Sequence, residues 1–157
     1  MATANVDGQK KARVREGLMC VVTGAIEFAS QGDADVIRIT DEVAEAVRST
    51  GLSDGTVTLF APGATGALTT LEYEPGVVED VRKALDVVAP ADRIYQHNAN
   101  LGDGNGHSHV RAGLVGPSLA VPFVDGRLTL GRYQDIVFCD FDARPRERSI
   151  VVQVMGV

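Results

Sequence analysis

Leu119-Ala-Val-Pro-Phe-Val124, Asp125-Gly126, Arg127-Leu-Thr-Leu-Gly131 is the stretch that decides the fold class. An Asp-Gly pair between two runs of alternating apolar residues is a hairpin signal, because both turn positions need positive φ. The pattern predicts antiparallel β-structure, with a strand over 119–124 and a long return strand over 127–141. Upstream, 110–114 leaves room for only one or two helical turns before Gly116-Pro117. Downstream, Arg144-Pro-Arg146-Glu-Arg148 reads as a charged connection and Ile150 to Met155 as the final strand.

Further out the pattern alternates between strand and helix. Val14 to Phe28 is rich in β-branched residues and predicts a long first strand, with Gly24 as a possible bulge. A short strand over 34–39 leads to Thr40, which fits a helix N-cap. The acids Asp41 and Glu42 follow in the first turn, Val43, Ala46 and Val47 share a face, and Gly51 marks the stop. Gly55 to Ala61 alternates as a strand, Pro62 to Gly66 is a loop, and Ala67 to Tyr73 resumes the β pattern. Pro75 suits a helix first turn, and apolar residues then recur at three- and four-residue spacing until Pro90. Ile94-Tyr95 reads as the end of a short strand. The expected architecture is a single compact α/β domain over 13–157, a mostly antiparallel or mixed sheet packed by two main helices. Residues 1–12 read as a flexible tail.

All three histidines fall within the thirteen residues 97–109 of the stretch Tyr95-Gln-His97-Asn-Ala-Asn100-Leu-Gly-Asp103-Gly104-Asn105-Gly106-His107-Ser-His109. Imidazole nitrogens interleaved with carboxylate and carbonyl oxygens make a metal or phosphate site the leading reading. His107 and His109 face one side if the chain there is extended and diverge on a helix. His97, His107 and His109 with an open position would suit a divalent ion, Zn or Mg; the alternative is that they cap a helix or bond loop carbonyls. Gly104, Asn105 and Gly106 offer an anion cradle before a helix N-terminus, though such loops more often serve only as turns. Arg144, Arg146 and Arg148 would project to one side of extended chain, which suits a small phosphorylated molecule or a charge-protected strand edge. Glu72, at a strand end, could bind metal, act as a base or remain a surface group.

Several of these segments occur together in a familiar order. They are Gly63-Ala-Thr-Gly-Ala-Leu-Thr-Thr-Leu-Glu72-Tyr-Glu-Pro-Gly76, Tyr95-Gln-His97, Gly104-Asn-Gly-His107-Ser-His109 and Gly116-Pro-Ser-Leu-Ala-Val-Pro122. Asp125-Gly-Arg-Leu-Thr-Leu-Gly131-Arg-Tyr-Gln134 and Asp140-Phe-Asp-Ala-Arg144-Pro-Arg146-Glu-Arg148 follow. From about Val14 onward the chain resembles the YjbQ-like family, also called the secondary thiamine-phosphate synthase family. That resemblance implies a homotrimer and a site built from Glu72, His97, Asn105 and His109. It also implies a transferase that joins an aminopyrimidine diphosphate to a thiazole phosphate, giving thiamine phosphate and pyrophosphate. Catalytic roles then fall to Glu72, His97, His109 and Arg144, and substrate contacts to Gly104, Asn105, Gly106, Gln134 and Arg146. Two departures stand out. Gly63 replaces a histidine common among relatives, for which His107 could substitute, and Tyr133 stands where relatives often carry Trp.

Composition bounds the alternatives. A 157-residue chain with 45% hydrophobic and 23% charged residues is ordinary for one globular domain. A net charge of −6 argues against general nucleic-acid binding. The apolar runs are too short for a bilayer span, and two distant cysteines without a signal peptide suggest a cytoplasmic protein with reduced thiols. With 5% aromatics and no Trp, a stacking platform for two rings is not evident. The competing functions are therefore the transferase, a metal-dependent hydrolase of a phosphorylated metabolite, and a non-catalytic trimeric binder of metal or anion.

Overall fold

The computed structural model describes residues 3–4 and 12–157. The Asp125-Gly126 turn forms as the sequence predicts. Both residues have positive φ (50° and 68°), joining β7 (Ser118–Val124) to β8 (Arg127–Leu128) with Val124 opposite Arg127. The return strand, however, is short. A turn at Gly131–Gln134, in which Gly131 N–H donates to Gln134 Oε1 (3.0 Å), ends it, and the chain crosses to a second sheet as β9 (Asp135–Asp140). The expected single strand over 127–141 is thus two strands in two sheets.

The larger sheet has the order β3 (Cys20–Ser30), β10 (Arg146–Gly156), β5 (Gly55–Phe60), β7, β8. The smaller has the order β4 (Asp35–Arg38), β9, β6 (Gly66–Leu71). All their ladders are antiparallel. Two helices of the expected place and length, α1 (Thr40–Ser49) and α2 (Pro75–Val88), are joined by α3 (Gln96–Leu101) and α4 (Gly106–Val115).

β9 shows how period-two alternation builds two cores. Ile136 and Phe138 point into one core with Val57, Leu59, Phe123, Ile150 and Val152 of the large sheet and Val43 and Val47 of α1. Val137 and Cys139 point the other way, into a second core with Val36, Ala67 and Ala112, against which Val78 and Leu85 of α2 pack. A central strand buried on both faces reads as a continuous apolar run, which is why Ile136 to Cys139 has no polar alternation. Each fully buried side chain of this size contributes about 1.5–3 kcal/mol of transfer free energy. The smaller sheet is therefore the middle layer, and it carries α4 on its outer face.

Other local expectations change. β3 begins at Cys20 rather than Val14, and its one-to-one register with β10 from Gly156↔Cys20 to Arg146↔Ser30 leaves no bulge at Gly24. Thr40 is the first residue of α1 rather than its cap. Its hydroxyl donates to Asp135 Oδ1 (2.8 Å) and accepts from Ile136 N–H (2.9 Å), fastening the helix to β9. Ile94-Tyr95 forms no strand; Ile94 is exposed and Tyr95 precedes α3. α4 is a full ten-residue helix rather than one or two turns. Within the expected tail, β1 (Thr3–Ala4) pairs with β2 (Ala12–Arg13), and the rest of 1–12 lies outside the described residues. Among the described residues no helix is long and apolar enough to cross a membrane.

Candidate metal centre and its pocket

The segment carrying the histidines is a helical hairpin, not an extended loop. α3 ends at Gly102, whose φ of 72° is the left-handed C-terminal conformation that glycine adopts at little cost. Gly104 (φ 70°) reverses the chain again, and α4 starts two residues later. Asn98 Oδ1 accepts the Gly106 N–H (2.8 Å) and ties the two helices together. Gly106 is required at this contact, since a Cβ there would overlap Tyr95.

On helical backbone His107 and His109 diverge, and only one reaches the site. His97 and His109 lie edge to face with ring centroids 4.4 Å apart, and His97 Nε2 is 3.2 Å from Asp103 Oδ1. One ligand atom from each of His97, Asp103 and His109 falls within 4.8 Å of the other two. His109 Nδ1 is 2.9 Å from the carbonyl oxygen of Ala64. A carbonyl can only accept, so Nδ1 carries the proton and the Nε2 lone pair is directed to the cluster, the tautomer a metal ligand needs. The loop over 62–66 thus acts through its backbone rather than through a side chain at Gly63.

The Asn105 amide enters the middle of the cluster. With nitrogen turned inward, it sits 3.1 Å from His97 Nε2, 3.2 Å from His109 Nε2, and 3.1 and 3.2 Å from the Asp103 oxygens. With oxygen turned inward, that position faces only other acceptors, an arrangement favourable only around a shared cation. Two imidazoles, a carboxylate and an amide oxygen at this spacing fit a divalent ion, and two nitrogen donors favour Zn-like metals over Mg.

His107 does not belong to this set. It is 4% exposed on the buried face of α4, with Tyr95 and Ser108 as neighbours, and its Nδ1 has no partner among the described residues. Burial, helped by the nearby Arg111 charge, pushes its pKa below the ordinary histidine value. Arg111 on the same face is itself buried, donating to Ala89 O (2.9 Å) and Asp86 Oδ1 (2.6 Å) and so linking α4 to the end of α2. The idea that His107 substitutes for a histidine at Gly63 is therefore corrected. Asp103 is the third member of the candidate cluster. The sequence held a signal for it, a carboxylate between the imidazoles in a glycine-bounded turn.

A pocket of about 350 Å³ adjoins the cluster, lined by Asp103, Asn105, Asp142, Ala143, Arg144 and Arg146. The histidine hairpin and the arginine segment thus meet, but the three arginines differ. Arg148 Nε and Nη2 donate to Asp140 (2.6 and 2.5 Å), and Nη2 also donates to Thr65 Oγ1 (3.0 Å). Arg146 Nε donates to Asp142 Oδ2 (2.8 Å). Asp140 is fully buried and also accepts from the Ser30 hydroxyl and from Asp142 N–H. Burial works to raise the Asp142 carboxyl. The hydrogen bond and charge of Arg146, the Thr65 hydroxyl and the Arg148 charge outweigh it and hold the group below its ordinary value. Arg144 precedes β10, is exposed, and has no carboxylate partner among the described residues. The uniform three-arginine array is thus one uncommitted guanidinium beside two internal ion pairs.

Other expected site residues lie elsewhere. Glu72 is exposed just past the far end of β6, whose near end adjoins Ala64 and His109; a strand of this length separates them by roughly 17 Å. Gln134 is at the same far end, its Nε2 donating to Thr70 Oγ1 (2.9 Å) and its Oε1 closing the Gly131 turn. The anion cradle is also filled from within. Gly106 N–H serves Asn98, and the Ser108 and His109 amides donate to Asn105 O (2.9 and 3.4 Å).

The family described as UPF0047 protein YjbQ-like has a model that matches residues 24–157. The chain belongs to this family. It is 35% identical over 138 residues to a UPF0047 protein of Methanothermobacter thermautotrophicus, covering 88% of this chain and 94% of that one. With YugU of Bacillus subtilis it shares 33% identity over 123 residues, 78% of this chain and 90% of its relative. A YbjQ-like protein of unknown function from Sulfolobus solfataricus superposes with a TM-score of 0.84 at 28% identity, covering 89% of this chain and all of that one. A YjbQ/UPF0047 protein of Clostridium acetobutylicum superposes with a TM-score of 0.74 at 36% identity, covering 82% and 98%. The motif resemblance therefore stands for family and for fold.

Proposed function

We propose that this YjbQ-like chain is a divalent-metal-dependent hydrolase of a small phosphorylated molecule. The observation that carries the reading is the convergence of His97, Asp103, His109 and the Asn105 amide beside a pocket that presents Arg144. A divalent ion held there would act as a Lewis acid, lowering the pKa of water and polarising a phosphoryl oxygen. Ala64 O keeps the His109 ring in the required tautomer, and Asn98 fixes α3 against α4 so that both imidazoles stay aligned. Arg144 attracts and orients the phosphate. Asp142 holds Arg146 on the pocket wall, and Glu72 is too distant to act as a proton acceptor within one chain.

The synthase chemistry implied by the resemblance would require two aromatic rings to be aligned as well as a diphosphate to leave. The residues lining the pocket are acids, an amide, an alanine and arginines, so the hydrolytic reading fits them better. A homotrimer is proposed alongside it. β3 is an eleven-residue edge strand whose Val21 and Val22 are exposed, next to Leu18 and Met19, and such an edge calls for a covering partner.

The test is elemental analysis of purified protein together with a phosphate-release assay over a panel of phosphate monoesters, with and without added Zn²⁺ or Mn²⁺. Metal near one per chain and metal-dependent release support the reading; metal-free protein that takes up none on dialysis ends it. Sedimentation analysis at micromolar concentration tests the trimer, and a monomer there removes it.

A further inference from the structure

We infer that the pocket selects a single phosphate monoester, in preference to a diphosphate or a carboxylate, and that Arg144 is the residue that sets this choice. The inference rests on the metal centre proposed above and concerns which anion that centre receives.

The argument is one of charge at close quarters. Around the pocket Arg146 is held by Asp142 at 2.8 Å, and Arg148 by Asp140 through two hydrogen bonds. Arg148 also lies 3.8 Å from Asp142. Two cations thus face two buried or nearly buried anions, and this group presents no net charge to a ligand. What remains is Arg144, exposed on the wall and without a carboxylate partner among the described residues. On the other wall, a divalent ion among two neutral imidazoles, one amide and the Asp103 carboxylate leaves a single net positive charge. The two walls together offer about two positive charges, which matches the charge of a phosphate monoester near neutral pH, about −1.5 to −2.

A diphosphate ester brings about one further negative charge, for which the two walls leave no counter-charge. A carboxylate ligand errs in the other direction, leaving one wall uncompensated. Size agrees. At about 350 Å³ the pocket is near the lower bound of small-molecule sites, roughly 300–1,000 Å³. Guanidinium also grips phosphate through paired hydrogen bonds, so a lysine at 144 would keep the charge but lose the fork.

The experiment is calorimetric titration of Zn²⁺-loaded protein with methyl phosphate, methyl diphosphate and acetate, using wild type, Arg144→Gln and Arg144→Lys. Retained zinc is measured in each sample afterwards. Methyl phosphate is expected to bind at least tenfold more tightly than the other two. Arg144→Gln should lose that affinity at least tenfold with zinc unchanged, and Arg144→Lys should recover part of it. Methyl diphosphate binding as tightly as methyl phosphate to protein that keeps its zinc overturns the inference alone. So does an Arg144→Gln variant with wild-type affinity. Failure of the metal centre is read separately, from protein that holds no zinc before titration begins, and it takes this inference with it.

Discussion

Replacing Arg148 with Met tests whether the Asp140–Arg148 pair organises the pocket wall. Asp140 is fully buried, and Arg148 supplies it with two charge-assisted hydrogen bonds of 2.5–2.6 Å. After Arg148→Met the carboxylate keeps only the Ser30 hydroxyl and the Asp142 amide. Methionine retains most of the aliphatic stem, so packing changes little and the uncompensated charge dominates. Breaking a buried pair from one side costs about 3–5 kcal/mol. Loss of the guanidinium lying 5.9 Å from the Phe138 ring centre adds about 0.5 kcal/mol. For a chain of this size each kcal/mol moves the melting temperature by about 2–4 °C, giving an expected fall on the order of 7–22 °C. Since the chain has no Trp, urea and thermal unfolding are followed by far-UV circular dichroism at one fixed protein concentration. Adding Asp140→Asn removes the stranded charge and should recover part of the loss. A cost below about 1 kcal/mol for Arg148→Met, or further destabilisation by Asp140→Asn in that background, would refute the reasoning.

Three further outcomes are expected. Elemental analysis should find metal lost from His97→Ala and His109→Ala but retained by His107→Phe, because His107 lies on the buried face of α4 and not in the cluster. Gly106→Ala should destabilise by about 1–3 kcal/mol through overlap with Tyr95, whereas Gly113→Ala in the same helix, with open space at its Cβ, should be neutral or stabilise by up to about 1 kcal/mol in urea melts. Asp142 has a folded pKa below its ordinary value of 3.8, so its contribution is fully present above that value and is lost as pH falls through the lower folded one. The urea midpoint of wild type should therefore drop more steeply than that of Asp142→Asn as pH is lowered through this window.

Much of the fold was legible along the chain because its causes are local. The Asp125-Gly126 turn needs only two residues that tolerate positive φ. α2 is announced by Pro75 and by three- and four-residue apolar spacing, and α1 by acids in its first turn and Gly51 at its end. The strands of both sheets show themselves through β-branched runs, and the collected motifs carry the family. Placing the candidate cluster in the segment over 97–109 also required nothing but the density of imidazole and carboxylate there.

Tertiary structure decided which of those side chains meet. Whether His107 joins His109 depends on a helix starting at Gly106, and that start is fixed by Asn98 and Tyr95 packing across the hairpin, contacts between elements that no periodicity encodes. Asp103 meets His97 and His109 because left-handed turns at Gly102 and Gly104 reverse the chain around it. Arg146 and Arg148 are alike in sequence to Arg144, yet β10 seats them against Asp142 and Asp140, and only Arg144 stays free for a ligand. Glu72 and Gln134 fall at the far end of β6 and β9 because antiparallel pairing sets strand ends a full strand apart. Residue type states what chemistry a side chain can do; pairing register and helix packing, which act over long sequence separations, determine what it can reach.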